Sequence, residues 1–248
     1  MPDILITDDG PIRTVRMNRP EKKNALTGAM YVAMAAAIEE AGKRAETRCL
    51  MIAGAPGAFC AGNDINDFLA ASQGGGLADN VVRFLYVLAR CEKPLVAAVQ
   101  GAAVGVGTTL ILHCDHVVAA SDAQLSTPFV ALGLTPEAGS SLIAPRLMGH
   151  ARAFSLLVMG EPLSAEAAKA VGIVNTVVPA AEVDAKALAA ARAIAALPPQ
   201  AVLAARRLMR GSPDEIVARI DAEIAVFKQR LASPEAMAAF AAFLSRKR

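Results

Sequence analysis

Aromatic side chains are scarce in this chain of 248 residues: they make up 4% of it, and tryptophan is absent. Surfaces that bind single-stranded nucleic acid depend on aromatic rings for base stacking, so the composition argues against such a surface. The net charge is only +2 at pH 7, which gives no electrostatic reason to expect nucleic acid or an anionic membrane as a partner. We therefore expect neither partner.

Cysteine and histidine are also few, with four and three copies. The cysteines lack the spacing of a disulfide framework or a zinc site. The segment 113–116, HCDH, straddles a predicted helix end and strand start, so we expect it to hold no metal ion. The first ten residues carry acids and no basic region before an apolar run, unlike a signal peptide. These observations predict a cytoplasmic protein without a bound metal.

Short apolar runs alternate with helical patterns along most of the chain. The runs are continuous rather than alternating, which is typical of strands covered on both faces in an α/β protein. The longest apolar stretch, 95–112, contains Gln100 and three glycines, so we interpret it as strand, turn and buried helix rather than a membrane span. Asp9-Gly10 indicates a hairpin between the first two strands. The predicted strands are residues 4–7, 12–17, 49–54, 94–99, 116–121 and 172–178.

The pattern becomes purely helical after Pro198-Pro199. Ser212 and Glu215 form a capping box around Pro213, which indicates a helix start. Apolar residues then follow along one helical stripe, which needs a surface to cover, either the chain's own core or a neighbouring subunit. We predict a β/α core over residues 1–197 and a helical region over residues 198–248. The stripe consists of residues 216, 220, 224, 227 and 231.

Two turns are rich in small residues: one contains Ala61 and Gly62, and the other contains Gly105, Val106 and Gly107 at the start of an apolar helix. Glycine lets another group approach the backbone closely. Two converging backbone N–H groups are what an oxyanion hole requires, and a helix N-terminus adds its dipole. Packing turns in any α/β protein have the same composition, so spacing alone leaves both interpretations open.

The segment 134–141, LTPEAGSS, holds the only acidic residue between positions 123 and 149, Glu137. One interpretation is an exposed loop glutamate with no chemical role. The other is a general base, whose pKa the apolar surroundings would raise towards neutrality. The residues alone do not decide between the two.

Five stretches, taken in order, resemble the crotonase family, also called the enoyl-CoA hydratase/isomerase family. The resemblance covers nearly the whole chain. It implies a spiral of repeated ββα units, a C-terminal helical trimerisation region, and a homotrimer or dimer of trimers. It also implies an acyl-CoA thioester as substrate, with coenzyme A as part of that substrate and no separate cofactor. The stretches are NRPEKKNALT at 18–27, AFCAGNDINDF at 58–68, QGAAVGVG at 100–107, CDHVVAASDAQLSTPFVALGLTPEAGSSLIAPRLMG at 114–149 and AAKAVGIVNTVVP at 167–179.

The resemblance also implies site residues. The two oxyanion N–H donors match Ala61 and Val106, although Val106 replaces a common glycine and narrows the pocket. The basic C-terminus is expected to reach a neighbouring subunit's ligand, with a solvated, frayed terminus as the open alternative. The other expected substrate-binding positions are Lys22, Ala25, Leu26, Gly62, Asp64, Ile65, Thr109, Phe129, Pro136, Phe243 and Lys247.

The position of the acid distinguishes members of the family. Hydratases use two glutamates, at positions occupied here by Thr109 and Phe129, whereas the acid of this chain stands eight residues further on, at Glu137. This pattern is similar to the peroxisomal-type Δ3,Δ2-enoyl-CoA isomerases. It implies that Glu137 moves a proton from C2 to C4 of a 3-enoyl thioester in fatty acid metabolism. Two alternatives stay open: a hydratase or another reaction on the same scaffold, and a non-catalytic acyl-CoA-binding protein.

Overall fold

A computed structural model describes residues 1–64 and 78–245, apart from the side chains at positions 243 and 244. Ile65, Lys247 and the side chain of Phe243, all predicted to bind substrate, therefore lie outside the described residues. Most of the glycine-rich segment SQGGGLADN at 72–80 lies outside them as well.

The larger of two sheets has six strands in the order β1-β2-β3-β5-β7-β10. The first two strands form an antiparallel hairpin in which Asp9 pairs with Ile12, which confirms the predicted turn. The other neighbours are parallel, as the continuous apolar runs indicated. The strands are β1 Ile4–Asp9, β2 Ile12–Met17, β3 Cys49–Gly54, β5 Leu95–Val99, β7 His116–Ala120 and β10 Thr176–Val178.

A second, four-stranded sheet has the order β4-β6-β8-β9. Each of its first three strands directly follows a strand of the larger sheet, so the chain steps from one sheet to the other and back. This alternation forms the ββα spiral that the resemblance implied. The strands are β4 Ala58–Cys60, β6 Ala102–Val104, β8 Gln124–Ser126 and β9 Leu163–Ser164.

Helices cover the sheets and end the chain. Thr27 caps the first of them, because its side chain accepts a hydrogen bond from the Met30 amide. The last predicted strand is shorter than expected, since residues 172–175 form a turn before β10. The helices are α1 Gly28–Lys43, α2 Asp79–Arg90, α3 Val106–Ile111, α4 Ser140–Met148, α5 His150–Phe154, α6 Ala165–Ala170, α7 Val183–Ala196, α8 Pro199–Arg210, α9 Pro213–Leu231 and α10 Pro234–Ser245.

Helix α9 carries the apolar stripe predicted from the sequence, and all five of its residues are buried. Ile216, Ile220 and Ile224 join the main core. Phe227 and Leu231 pack instead with Phe129, Leu134, Ala236 and Phe240 in a smaller cluster. The stripe therefore covers the chain's own core and brings α9 and α10 against the loop that contains Phe129.

No single helix among the described residues is long and apolar enough to cross a membrane. Two consecutive helical segments, Ala180–Ala196 and Pro199–Arg210, are together long and apolar enough, but the pair is bent by 107°.

Gly107 allows α3 to pack directly against the end of β4. A Cβ atom at this position would lie 2.7 Å from the carbonyl oxygen and 2.8 Å from the Cβ of Cys60. We expect Gly107→Ala to lower the free energy of unfolding by about 1–3 kcal/mol, the usual cost of overpacking. Urea denaturation measures this quantity. The control is Gly42→Ala in α1, where a Cβ meets no atom within 4 Å; equal destabilisation by the two variants would contradict the packing argument.

Candidate active site

The amide of Ala61 is already occupied. It donates to the carbonyl oxygen of Lys23 at 2.9 Å. The assignment of this N–H as an oxyanion donor is therefore wrong, because a backbone hydrogen bond holds it away from any ligand. The side chain of Ala61 nevertheless lines the main cavity.

The neighbouring amide of Asn63 is placed differently. Leu26 donates to the carbonyl of Gly62 and accepts from the amide of Asp64, each at 2.8 Å. These two bonds make Leu26 and Asn63 the partners of an isolated parallel β-bridge. In such a bridge the N–H of the residue between the two bonded positions, here Asn63, points away from Leu26. Within the described ranges that N–H donates no hydrogen bond. Asn63, which also lines the cavity, therefore replaces Ala61 as the available donor of the first turn.

A buried tyrosine fixes the side chain of Asn63. The hydroxyl of Tyr31, on α1, donates to Asn63 Oδ1 at 2.5 Å. The ring of Tyr31 packs edge-on against Phe84 of α2, with 5.2 Å between the ring centroids. Two helices thus hold the turn in which the Asn63 amide lies.

The second predicted donor, Val106, is the first residue of α3. An amide at that position has no partner inside the helix, and among the described residues it donates no other hydrogen bond. Gly105, before it, has φ +56° and ψ −119°, a conformation that favours glycine. The structure therefore leaves the Val106 N–H available at the helix start, as the sequence predicted.

The two turns meet at one cavity of about 390 Å³ with mostly apolar walls. Glu137 is the only carboxylate among its described lining residues. The last two helices of the same chain close one side, through Phe227 of α9 and three residues of α10. The lining consists of Ala61, Gly62, Asn63, Val81, Val104, Gly105, Val106, Pro128, Phe129, Ala131, Leu132, Leu134, Glu137, Phe227, Ala239, Phe240 and Ala242.

Glu137 is 5% exposed, so the interpretation as an exposed loop glutamate is wrong. The Thr109 hydroxyl donates a short hydrogen bond to Glu137 Oε1. Burial raises the pKa of Glu137 to about 8; the bond from Thr109 lowers it, and the charge of Glu223 raises it. The predicted rise is thus confirmed, and the carboxyl titrates near neutral pH.

The backbone after Glu137 is held in an unusual conformation. Ala138 has φ +60° and Gly139 has φ +70°, and a positive φ is strained for alanine. Buried His113 contacts the Ala138 carbonyl oxygen through Nε2 at 2.7 Å. Burial lowers the pKa of His113 to about 4, so near neutral pH the ring is uncharged and its Nε2–H donates. The HCDH segment thus contributes a structural histidine to the loop of Glu137.

The segment predicted to bind coenzyme A is held mainly by one asparagine. The side chain of buried Asn24 donates to the carbonyls of Ala55 and Ala58, at 3.2 and 2.8 Å, and accepts from the Arg19 amide. This ties the loop to the turn between β3 and β4. Lys22 is exposed beside it. The role of Asn24 was not predicted, because no local sequence pattern indicates a hydrogen bond between an amide side chain and a distant carbonyl group.

The other predicted binding residues divide between the cavity and its support. Gly62 and Phe129 line the cavity; Thr109 lies behind it and contacts Glu137. Asp64 forms an ion pair with Arg19 at 2.7 Å. The remaining predicted positions, Ala25, Leu26 and Pro136, are not part of the described lining.

The polar groups that the described lining offers to a ligand are mainly backbone groups and the carboxyl group of Glu137. In the part of the chain that the structure describes, no cluster of three or more histidine, cysteine or acidic side chains is arranged to hold a metal ion. Cys60 is buried next to the first turn, and burial raises the pKa of its thiol to about 12. The thiol is therefore protonated at neutral pH.

Among the described residues, the fold and the site define a protein with a ββα spiral and an apolar cavity, whose lining includes one acid and two turn residues with unbonded backbone N–H groups. A family model, described as enoyl-CoA hydratase/isomerase, matches residues 8–248. The chain therefore belongs to the enoyl-CoA hydratase/isomerase family, as the resemblance indicated.

Relatives in this family carry different activities in their names. Rat enoyl-CoA delta isomerase 2 is 35% identical over 98% of this chain, which spans 64% of the rat protein. A probable enoyl-CoA hydratase of Rhodobacter capsulatus is 36% identical over 68% of this chain and 65% of its own length. The solved structure of OdaA from Pseudomonas aeruginosa is 44% identical, with a TM-score of 0.92 and 98% of both chains covered.

The buried acid should make stability depend on pH. The pKa of Glu137 is raised from 4.5 to about 8 on folding. The contribution of its protonated carboxyl group to the free energy of unfolding is therefore fully present below pH 4.5 and is lost as pH rises towards 8. Over this range we expect the stability of Glu137→Gln, relative to that of the native protein, to increase by on the order of 4 kcal/mol. Urea denaturation at several pH values measures the difference. A difference that is independent of pH would contradict the raised pKa.

Proposed function

We propose that the protein shifts the double bond of a 3-enoyl-CoA thioester to the 2-position, with Glu137 as the proton carrier. The observation that carries this proposal is one apolar cavity whose described lining holds a single carboxylate, Glu137, together with Asn63 and Val106, whose backbone N–H groups donate no hydrogen bond among the described residues. The rat relative named as a delta isomerase supports the same reaction.

In the proposed reaction the thioester oxygen accepts hydrogen bonds from the amides of Asn63 and Val106. Glu137 takes a proton from C2, and the negative charge of the resulting dienolate falls on the thioester oxygen. Those two donors stabilise the charge most strongly as it develops. Glu137 then returns the proton to C4, which completes the isomerisation.

One carboxylate is sufficient because no water is added. A pKa near 8 suits this exchange, since the base must both accept and release a proton near neutral pH. The positions of the two hydratase glutamates hold a hydroxyl and an aromatic ring, Thr109 and Phe129. The cavity therefore lacks, among its described lining residues, a second acid to activate water.

Substitution of the base tests the proposal. We expect Glu137→Gln to lower kcat for 3-enoyl-CoA isomerisation by about 10²–10⁴-fold, the usual contribution of a positioned base. Chromatography of the products from 3-enoyl-CoA and 2-enoyl-CoA substrates of several chain lengths measures the reaction. The control is Glu161→Gln, at an exposed acid away from the cavity.

Two outcomes would overturn this assignment. Hydration of 2-enoyl-CoA without isomerisation would support a hydratase instead. Binding of acyl-CoA without turnover, unaffected by Glu137→Gln, would support a binding protein. The substrate that reacts fastest identifies the preferred acyl chain length. It also distinguishes a fatty acid pathway from an aromatic one.

We also propose a homotrimer or a dimer of trimers in a reducing, cytoplasmic compartment. Exposed apolar side chains on α8, Leu208 at 86% and Met209 at 88%, support an interface between subunits. The four unpaired cysteines support the compartment. In the trimer, Phe243 and Lys247 are expected to approach a neighbouring subunit's coenzyme A.

Sedimentation analysis tests the assembly. We expect a particle of three or six chains, and we expect Leu208→Glu combined with Met209→Glu to shift it towards smaller species, because a charge is costly in an apolar interface. The control is Arg207→Glu at an exposed, charged position of the same helix. A native protein that sediments as a single chain would contradict the proposal.

A further inference from the structure

Glu223, in the middle of α9, is a buried carboxylate that the proposed reaction does not use. It is 7% exposed. Its two oxygens accept three hydrogen bonds from the start of α4: from the Gly139 amide at 2.6 Å, the Ser141 amide at 2.9 Å and the Ser141 hydroxyl at 2.6 Å. All three donors lie two to four residues after Glu137.

The contacts of Glu223 fit its ionised form. Each partner donates to it, so the carboxylate needs no proton of its own to satisfy them. Arg219, one turn earlier on α9, donates to the Ser141 hydroxyl at 3.3 Å. The hydroxyl thus links the positive charge of Arg219 to the negative charge of Glu223, which offsets part of the cost of burial.

These bonds hold a strained backbone. The positive φ of Ala138 persists only if surrounding contacts determine it. Glu223 binds the peptide groups on one side, and His113 binds the Ala138 carbonyl on the other. Gly139 also packs closely against α9, since a Cβ atom at this position would lie 2.9 Å from Ile216 Cγ2. The direction of the Glu137 side chain thus depends on contacts to α9 and to the end of α3.

We propose that Glu223 is a positioning residue, which clamps the loop after Glu137 and keeps the Glu137 carboxyl directed into the cavity. The catalytic consequence rests on the proposed function of Glu137. Through this clamp the C-terminal helical region, which also supplies part of the cavity wall, controls the geometry of the base.

The clamp also contributes a nearby negative charge. The titratable groups that interact with Glu137 are Tyr31 from α1, Cys60 from β4 and Glu223 from α9. Tyr31 and Cys60 are neutral at pH 7 because burial raises the pKa of each. Burial raises the pKa of Glu223 itself, whereas the hydrogen bonds from Ser141 and Gly139 and the charge of Arg219 lower it. When ionised, Glu223 adds a negative charge that raises the pKa of Glu137.

The test compares Glu223→Gln with Glu215→Gln. Glu215 lies on the same helix and forms an exposed ion pair with Arg146 of α4 at 2.5 Å, so the control breaks a contact between the same two helices without touching the loop. We expect Glu223→Gln to lower kcat by about 10- to 100-fold, the effect of a displaced catalytic group. We expect KM to change by less than about threefold, since the cavity walls remain, and Glu215→Gln to retain kcat within about twofold.

The pH dependence separates a positioning role from a general loss of stability. Removing the charge should move the acidic limb of the kcat/KM profile to lower pH. ¹³C NMR of protein labelled at the glutamate carboxyl carbons measures the pKa of Glu137 directly, with its signal assigned by its absence from Glu137→Gln. This second measurement needs no turnover, so it tests the clamp even if the proposed isomerisation fails.

A second variant keeps the proposal testable if Glu223→Gln does not fold. Ser141→Ala removes one of the three bonds and leaves both amide bonds, so we expect a folded protein whose kcat is several-fold lower. The proposal is overturned if Glu223→Gln folds and retains native kcat and an unchanged Glu137 pKa. It is also overturned if Glu223→Gln fails to fold while Ser141→Ala keeps native kcat, or if Glu215→Gln loses as much activity as Glu223→Gln.

Discussion

The placement of one carboxyl group out of water is the constraint on which the site depends. A carboxylate in an apolar cavity is costly, and the protein meets that cost by raising the pKa of Glu137 and giving it one hydroxyl partner, Thr109. In the proposed reaction this burial, which would destabilise an ordinary glutamate, suits Glu137 to act as a base near neutral pH. The other residues of the site hold the carboxyl group of Glu137 in place while it stays buried from solvent.

The two sheets supply the other half of the arrangement. Because the chain steps repeatedly from the larger sheet to the smaller, the turns after β4 and β6 lie side by side. Glycine at position 107 lets α3 approach the end of β4 closely. Asn63 and Val106 therefore line one cavity, and the backbone amide of each is present whatever its side chain. This explains how valine is accommodated at position 106.

Much of the fold followed from sequence pattern, because burial on both faces leaves continuous apolar runs and one-sided burial leaves a helical stripe. The Val106 amide and the buried acid were also predictable, since a glycine-rich helix start and a lone acid are local signals. The first donor was not. Ala61 and Asn63 lie two residues apart in the same turn, and only the bonds to Lys23 and Leu26 show which amide is free. Asn24, His113 and Glu223 were missed because their partners are distant in sequence.

The ββα spiral was implied only by resemblance to a family. The sequence pattern by itself determined the α/β class, the helical C-terminal region and the lone acid, Glu137. Those properties depend on composition and on short-range periodicity, which a linear chain displays directly. Only the tertiary structure decided which amide of the first turn is left without a hydrogen bond among the described residues, and which side chains hold the loop of Glu137. Such choices depend on hydrogen bonds between residues up to 84 positions apart, and periodicity along the chain contains no record of them.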